Sequence, residues 1–181
     1  MKLAFLGDSL TYGWLTEGVD AWNERFALLG AANFGVPGDL PDDVVDRIES
    51  GELDATQPGT IVLCVGTNDL GSGRTLERTV RGVDTCVRAL LLRFAGTRVV
   101  LLGLLPRGDG GRRGYAQITA VNERLERLAD QPRVRFFDCG AAFVDSFGRV
   151  RKELYDPDLL HLAPAGYAAW AASLGEAPLA S

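Results

Sequence analysis

Apolar and polar positions change rhythm repeatedly along this chain, and each change marks an element. Leu3-Ala4-Phe5-Leu6 is an unbroken apolar run that ends in Gly7-Asp8-Ser9-Leu10-Thr11-Tyr12-Gly13. A short run bounded by a glycine turn reads as a strand buried on both faces, as in a parallel sheet. Trp22, Phe26 and Leu29 recur at helical spacing and predict a helix over Ala21–Leu29. Ala31–Gly35 reads as a second strand, stopped by Gly35-Val36-Pro37-Gly38. Pro41, Asp42 and Asp43 suit the first turn of a helix, where a missing N–H is harmless and acids meet the dipole. Val44, Val45 and Ile48 supply its buried face, and Gly51 ends it.

Thr60–Val65 is the clearest buried strand, and it gives way to Gly66-Thr67-Asn68-Asp69. Leu76, Val80, Val83, Val87 and Leu90 step by fours and threes, which is a helix with one apolar stripe. Arg98–Leu105 is the next strand, closed by Pro106-Arg107-Gly108, and the glycine- and arginine-rich Asp109–Gly114 reads as a mobile loop. Ile118, Val121, Leu125 and Leu128 repeat the helical stripe, Val134–Phe137 is a last strand, and Pro164–Leu174 a closing helix. Strands and helices alternate without a repeat or a linker. This predicts an α/β fold, with residues 1–181 as a single three-layer αβα domain. Five parallel strands in the flavodoxin-like order 2-1-3-4-5 fit the count. Strands 1, 2 and 3 are then neighbours, so the turns at Ser9, Gly35 and Asn68 fall on one rim.

Composition narrows the partners. The formal net charge is −5 over 181 residues, with no basic tract, which argues against nucleic acid and against an anionic membrane surface. No apolar run approaches the ~20 residues that a membrane span requires, so stable membrane insertion is not expected. The chain enters a strand at once, with no signal-like apolar region, and the expected compartment is the cytoplasm. Cys64, Cys86 and Cys139 lack the spacing of a zinc site or of a C-x-x-C pair and read as small core residues.

The chemistry gathers at four points. A serine on the turn after a first parallel strand sits at the mouth of the sheet, with backbone N–H groups able to face an anion; as a lone motif it could equally cap a helix. His161 is the chain's one histidine, and Asp158 lies three residues before it, so one turn can bring carboxylate to imidazole. Asp156 is a competing carboxylate with less favourable spacing. A carboxylate on one ring nitrogen fixes the tautomer and leaves the other to take a serine proton. The Asn68 amide and the Gly35 N–H are candidate oxyanion donors together with the Ser9 N–H.

These blocks resemble those of the SGNH (GDSL) hydrolases, in order and over nearly the whole chain. Gly7-Asp8-Ser9-Leu10 resembles the nucleophile block, Asn33-Phe34-Gly35 the second, Gly66-Thr67-Asn68-Asp69 the third, and Asp158-x-x-His161 the last. Within the family the likeness is nearest to the catalytic subunits of brain-type platelet-activating factor acetylhydrolase. Gly51-Glu52-Leu53, Leu102–Gly108, Leu160-His161-Leu162 and Gly166-Tyr167 carry it further. The resemblance implies a metal-free, cofactor-free serine esterase with Ser9 as nucleophile, His161 as base and Asp158 as its orienter. Ser9, Gly35 and Asn68 would form the oxyanion hole. Asp8, Leu10 and Leu160 are expected beside the substrate, and a small acyl pocket with acetyl-like preference follows from the same likeness. The substrate would be a small-molecule, lipid or sugar ester, and related subunits pair, so a homodimer is a further expectation. The chain departs from those subunits at Leu10–Asn23 and at Pro37, near where the acyl and leaving groups would lie. Two other readings compete: a flavodoxin-like module that merely holds an anion, and a metallohydrolase ligated by Asp8, Asp69, Asp158 and His161.

Overall fold

In the computed structural model the residues described are 3–108 and 111–175. Five strands, β1 (Leu3–Gly7), β2 (Ala32–Gly35), β3 (Thr60–Cys64), β4 (Arg98–Leu102) and β5 (Val134–Phe137), form one parallel sheet. Their order is 2-1-3-4-5, the flavodoxin-like order expected from the sequence. Around it run α1 (Ser9–Tyr12), α2 (Val19–Arg25), α3 (Pro41–Ser50), α4 (Thr67–Gly71), α5 (Leu76–Arg93), α6 (Gly111–Glu126) and α7 (Pro164–Leu174). No helix among the described residues is long and apolar enough to cross a membrane.

Strand side chains alternate between two cores. Leu3, Phe5, Val62, Cys64, Val100 and Leu102 face one side, where α2 and α7 add Trp22, Tyr167, Trp170 and Leu174. Ala4, Leu6, Ile61, Leu63, Val99 and Leu101 face the other, covered by Val44 and Ile48 of α3, Val83, Val87 and Leu90 of α5, and Val121 and Leu125 of α6. Period-two alternation with apolar residues on both faces is what a doubly covered parallel sheet demands. The first core is aromatic at its centre: Trp14 stacks on Trp170 with centroids 5.1 Å apart, and Tyr167 meets Trp14 edge-on at 4.8 Å.

Several boundaries differ from the sequence reading. The helix expected over Ala21–Leu29 starts earlier, at Val19, and breaks after Arg25 into a 3-10 turn over Ala27–Leu29 that closes on Gly30 at φ 66°. The strand expected to reach Leu105 leaves the ladder after Leu102. There the Asn122 side chain takes over, accepting the Leu104 N–H at 2.8 Å and donating to the Leu104 carbonyl at 3.0 Å. Of the expected 109–114 loop, residues 109 and 110 lie outside the described residues, and the backbone from Gly111 onward is helical.

The register sets the rim. Gly7 pairs with Gly35 on one side and with Cys64 on the other, so three strands end level. Neither glycine has room for a side chain. A Cβ on Gly7 would lie 2.0 Å from the Cys64 carbonyl oxygen, and one on Gly35 would lie 2.1 Å from the Tyr12 nitrogen. Gly7→Ala is therefore expected to destabilise the fold by roughly 3 kcal/mol or more. Gly96→Ala, where a Cβ meets nothing within 4 Å, should be close to neutral. Paired thermal melts check this, and equal stabilities would contradict the close packing at the rim.

Candidate active site

Asp8, not Ser9, caps α1. Its backbone is extended, at φ −98° and ψ −151°, and its Oδ1 accepts the Leu10 N–H at 3.0 Å. Ser9 becomes the first helical residue, so its own N–H belongs to the unsatisfied first turn. No hydrogen bond from it occurs among the described residues. Tyr167 braces the turn from below, its hydroxyl donating to the Leu10 carbonyl at 2.9 Å. Gly13 and Gly18 leave the room that the Tyr167 ring fills.

The loop from Tyr155 to Leu162 brings in the other partners. Tyr155 and Leu162 form an antiparallel bridge, and the Asp156 N–H donates to the His161 carbonyl at 2.8 Å. Within this closed loop Leu159 is held at φ 55°, a left-handed position that bulky residues seldom take. Asp158 Oδ1 accepts the N–H groups of Leu160 and His161, each at 2.9 Å. Its Oδ2 lies 2.6 Å from His161 Nδ1. A carboxylate can only accept, so Nδ1 carries the proton and Nε2 is left as the acceptor. Nε2 stands 3.0 Å from Ser9 Oγ, which therefore donates to it. The carboxylate that reaches the imidazole is Asp158; Asp156 contributes its backbone. Burial pushes the Asp158 carboxyl up, but the His161 hydrogen bond and the two N–H groups outweigh it and hold it below the ordinary range.

On the opposite side stands Asn68, the second residue of α4 and half-buried. Its Nδ2 donates to the Asp39 carbonyl at 3.0 Å. A primary amide has two N–H groups, so this bond orients the second. The loop that carries Asp39 is itself clamped: Arg47 pairs with the Asp39 carboxylate at 2.6 Å and donates to the Phe34 carbonyl at 2.8 Å.

The sequence-predicted residues thus divide. Ser9, His161, Asp158 and Asn68 lie on one rim. Gly35 is there too, but its N–H donates to Asn33 Oδ1 at 2.8 Å, and the Asn33 amide donates in turn to the Thr11 carbonyl at 2.7 Å. The Asn33-Phe34-Gly35 block therefore fastens β2 to α1. Gly38, which the sequence reading passed over, sits at φ 89° with an open flank, and no hydrogen bond from its N–H occurs among the described residues. Two of the residues expected beside the substrate are buried. Asp8 is 1% exposed and Leu10 3% exposed, and they support the turn from within. Leu160 remains half-buried beside His161.

Other nucleophiles and ligand sets fare poorly. All three cysteines are buried, and burial pushes the Cys139 thiol up to about 12 and those of Cys64 and Cys86 upward as well. Among the described residues no three His, Cys, Asp or Glu side chains converge as metal ligands. Asp69, one of the four in the metallohydrolase reading, is instead paired with Arg74 at 2.9 Å.

Residues 5–169 match the GDSL-like lipase/acylhydrolase family model. The chain belongs to that family. Its relatives include the bovine and human platelet-activating factor acetylhydrolase IB subunits alpha1. Each is 38% identical over 168 residues, which is 92% of this chain and 70% of the relative. The chicken alpha2 subunit is 35% identical over 166 residues, 91% of this chain and 70% of the relative. Solved structures with the same fold include a GDSL-like lipase from Bacteroides thetaiotaomicron, with a TM-score of 0.81 at 19% identity. That match covers 98% of this chain and 87% of the other. An acetylxylan esterase from Geobacillus stearothermophilus gives a TM-score of 0.73 at 18% identity, covering 98% and 93%. Membership makes this acylhydrolase-family chain a carboxylic ester hydrolase.

One carboxyl in the site stands out electrostatically. Asp8 is fully buried, and its Oδ2 has no hydrogen-bond partner among the described residues. Burial pushes the Asp8 carboxyl up to about 7; the Leu10 N–H pulls it down, the Asp39 charge pushes it further up, and His161 pulls it down. A carboxyl raised from about 3.9 in the unfolded chain favours folding at low pH, and that contribution fades as pH climbs toward 7. Asparagine caps a helix as well as aspartate does. Asp8→Asn should therefore raise the melting temperature relative to wild type at pH 8 and do so less at pH 5. A gain independent of pH would contradict the buried, titrating Asp8.

Proposed function

We propose that the enzyme hydrolyses short-acyl esters through an acyl intermediate on Ser9. The observation that carries this reading is the unbroken hydrogen-bond chain from Ser9 Oγ through His161 to Asp158. In the first step Ser9 Oγ bonds to the ester carbonyl carbon while its proton passes to His161 Nε2. The carbonyl π electrons move to oxygen. Collapse of that intermediate breaks the bond to the leaving alkoxide, which takes the proton from Nε2. Water then repeats the sequence on the acyl-serine, returning carboxylic acid and Ser9. Asp158 stays ionised and stabilises the imidazolium in each half.

The developing oxyanion is met by the Ser9 N–H and the second N–H of the Asn68 amide. For the third donor the reading turns from Gly35 to Gly38, because the Gly35 N–H is engaged by Asn33 and that of Gly38 has no partner among the described residues. Gly38 also directly precedes Asp39, whose carbonyl holds Asn68. Preorganised donors of this kind are usually the largest single contribution to acyl transfer. His161 relays every proton between Ser9, the leaving alkoxide and water, so the mechanism calls on no cofactor or metal.

Acetyl is the acyl group favoured, supported by relatives named platelet-activating factor acetylhydrolase and by a structural neighbour named acetylxylan esterase. Leu160 borders the base and would narrow the acyl side. The leaving group is a small-molecule, lipid or sugar alcohol, which leaves lysophospholipid, thioester and carbohydrate O-acetyl substrates to the test. Residues 1–181 are taken as one hydrolase domain. Three unpaired cysteines support a cytoplasmic setting, and the naming of the relatives as subunits supports a pairing of two copies.

Steady-state kinetics on a p-nitrophenyl ester series test this. Ser9→Ala and His161→Ala should each lower kcat by roughly 10⁴-fold or more, with the double variant little worse than either. Rates should peak at acetyl or butyryl and fall by decanoyl. A long open groove would instead gain about 0.8 kcal/mol per buried methylene, so an optimum at long chains would contradict the short-acyl reading. Additive losses would contradict the serine–histidine unit.

A further inference from the structure

The segment after β4 touches two parts of the site that arrive from distant strands. Its Pro106 carbonyl accepts the Tyr155 hydroxyl, and its Gly108 N–H donates to the Leu159 carbonyl at 2.9 Å. Both contacts are to the loop that carries Asp158 and His161. Between them lies Arg107, whose guanidinium reaches α4. Nη1 donates to the Thr67 carbonyl at 3.0 Å and to the Thr67 hydroxyl at 3.2 Å. Arg107 is only 9% exposed, an unusual position for an arginine. At the far end of α4, a Cβ on Gly71 would lie 3.2 Å from Nη1 and 3.5 Å from Nη2. The guanidinium thus adjoins both the first and the last residue of this helix.

Helix α4 needs such support. It is five residues long, far below the length at which a helix holds itself, and it starts from Gly66 at φ 123° without a side-chain cap. Asn68 is its second residue, immediately after the one that Arg107 grips. A shift of α4 would move the Asn68 amide, and misplacement by about 1 Å can cost 10²-fold in rate. A lysine could not reproduce the grip, because a guanidinium presents several donors in a fixed plane and an ammonium is a point charge.

We propose that Arg107 is a positioning residue for ester hydrolysis. It locks α4 so that the Asn68 amide stands at the oxyanion, and through Pro106 and Gly108 it keeps that amide in register with the Asp158–His161 loop. This rests on the reading of Asn68 as an oxyanion donor. Its contribution would appear in the transition state, so kcat should fall while KM is held.

The test is a double-mutant cycle on p-nitrophenyl acetate hydrolysis with R107M, R107K, N68A and R107M/N68A, each with its melting temperature. N68A should lower kcat by about 10²–10³-fold. R107M should lower kcat by roughly tenfold or more at nearly constant KM, with R107K in between. If Arg107 acts through Asn68, the double variant should lie within about threefold of N68A alone. Additive losses, or a lower melting temperature with wild-type kcat, would overturn the proposal. Unchanged kcat in N68A would instead remove the reading of Asn68 on which it rests. Should R107M fail to fold, R107K decides: a lower kcat at constant KM supports the proposal, and a wild-type kcat overturns it.

Discussion

The end of β1 has no room for a Cβ, and that constraint fixes the geometry above it. At Gly7 the backbone runs against the Cys64 carbonyl on one side and the Thr11 hydroxyl on the other, with a virtual Cβ at 2.0 and 2.4 Å. Gly35, level with it, is pressed as tightly against α1. The strands therefore terminate in one plane, and the chain must turn at once. Asp8 caps the turn, which places Ser9 at the first helical position. From there its hydroxyl lies within 3.0 Å of an imidazole contributed 152 residues later in the sequence. The serine is presented by backbone packing, and its partners are delivered to it by loops.

Hydrogen bonds fix the positions of those loops. Asp158 spends one carboxylate oxygen on two backbone N–H groups and the other on the imidazole. Arg47 fastens the loop between β2 and α3, and Arg107 joins the segment after β4 to α4. Below the rim the aromatic cluster around Trp14 and Trp170 supplies a rigid floor. Buried and exposed carboxyls then behave oppositely: Asp158, in reach of water and of three hydrogen-bond donors, stays ionised, whereas Asp8 is raised toward neutrality by burial. The two lie in one site and answer to different physics.

Much of this is legible in the sequence because it rests on local pattern. Apolar runs ending in glycine mark β1 and β3, and helical stripes mark α5. Alternation of the two leads to a parallel sheet covered on both faces, and a three-residue spacing joins Asp158 to His161. What is not legible depends on contacts between distant residues. The sequence points to Gly35 as an N–H donor, and only the Asn33 side chain shows that this N–H is already engaged. Leu10 follows the serine and looks like a substrate contact, yet a tyrosine from α7 holds it inside the core. The early end of β4 is written in Asn122, 18 positions after the residue whose backbone it captures. In the sequence Arg107 reads only as part of the turn that closes β4, and its grip on α4 appears only in the structure.

The central claim is that Ser9 attacks the ester and is activated by His161 to do so. Its most direct measurement is intact and peptide mass spectrometry after treatment with an alkyl fluorophosphonate, which phosphonylates activated serines irreversibly. The expected result is complete loss of esterase activity with one phosphonyl group per chain, located on Ser9, and slow or absent labelling in His161→Ala. Full inactivation with the label elsewhere, or persistent ester hydrolysis by a chain fully labelled at Ser9, would contradict the account.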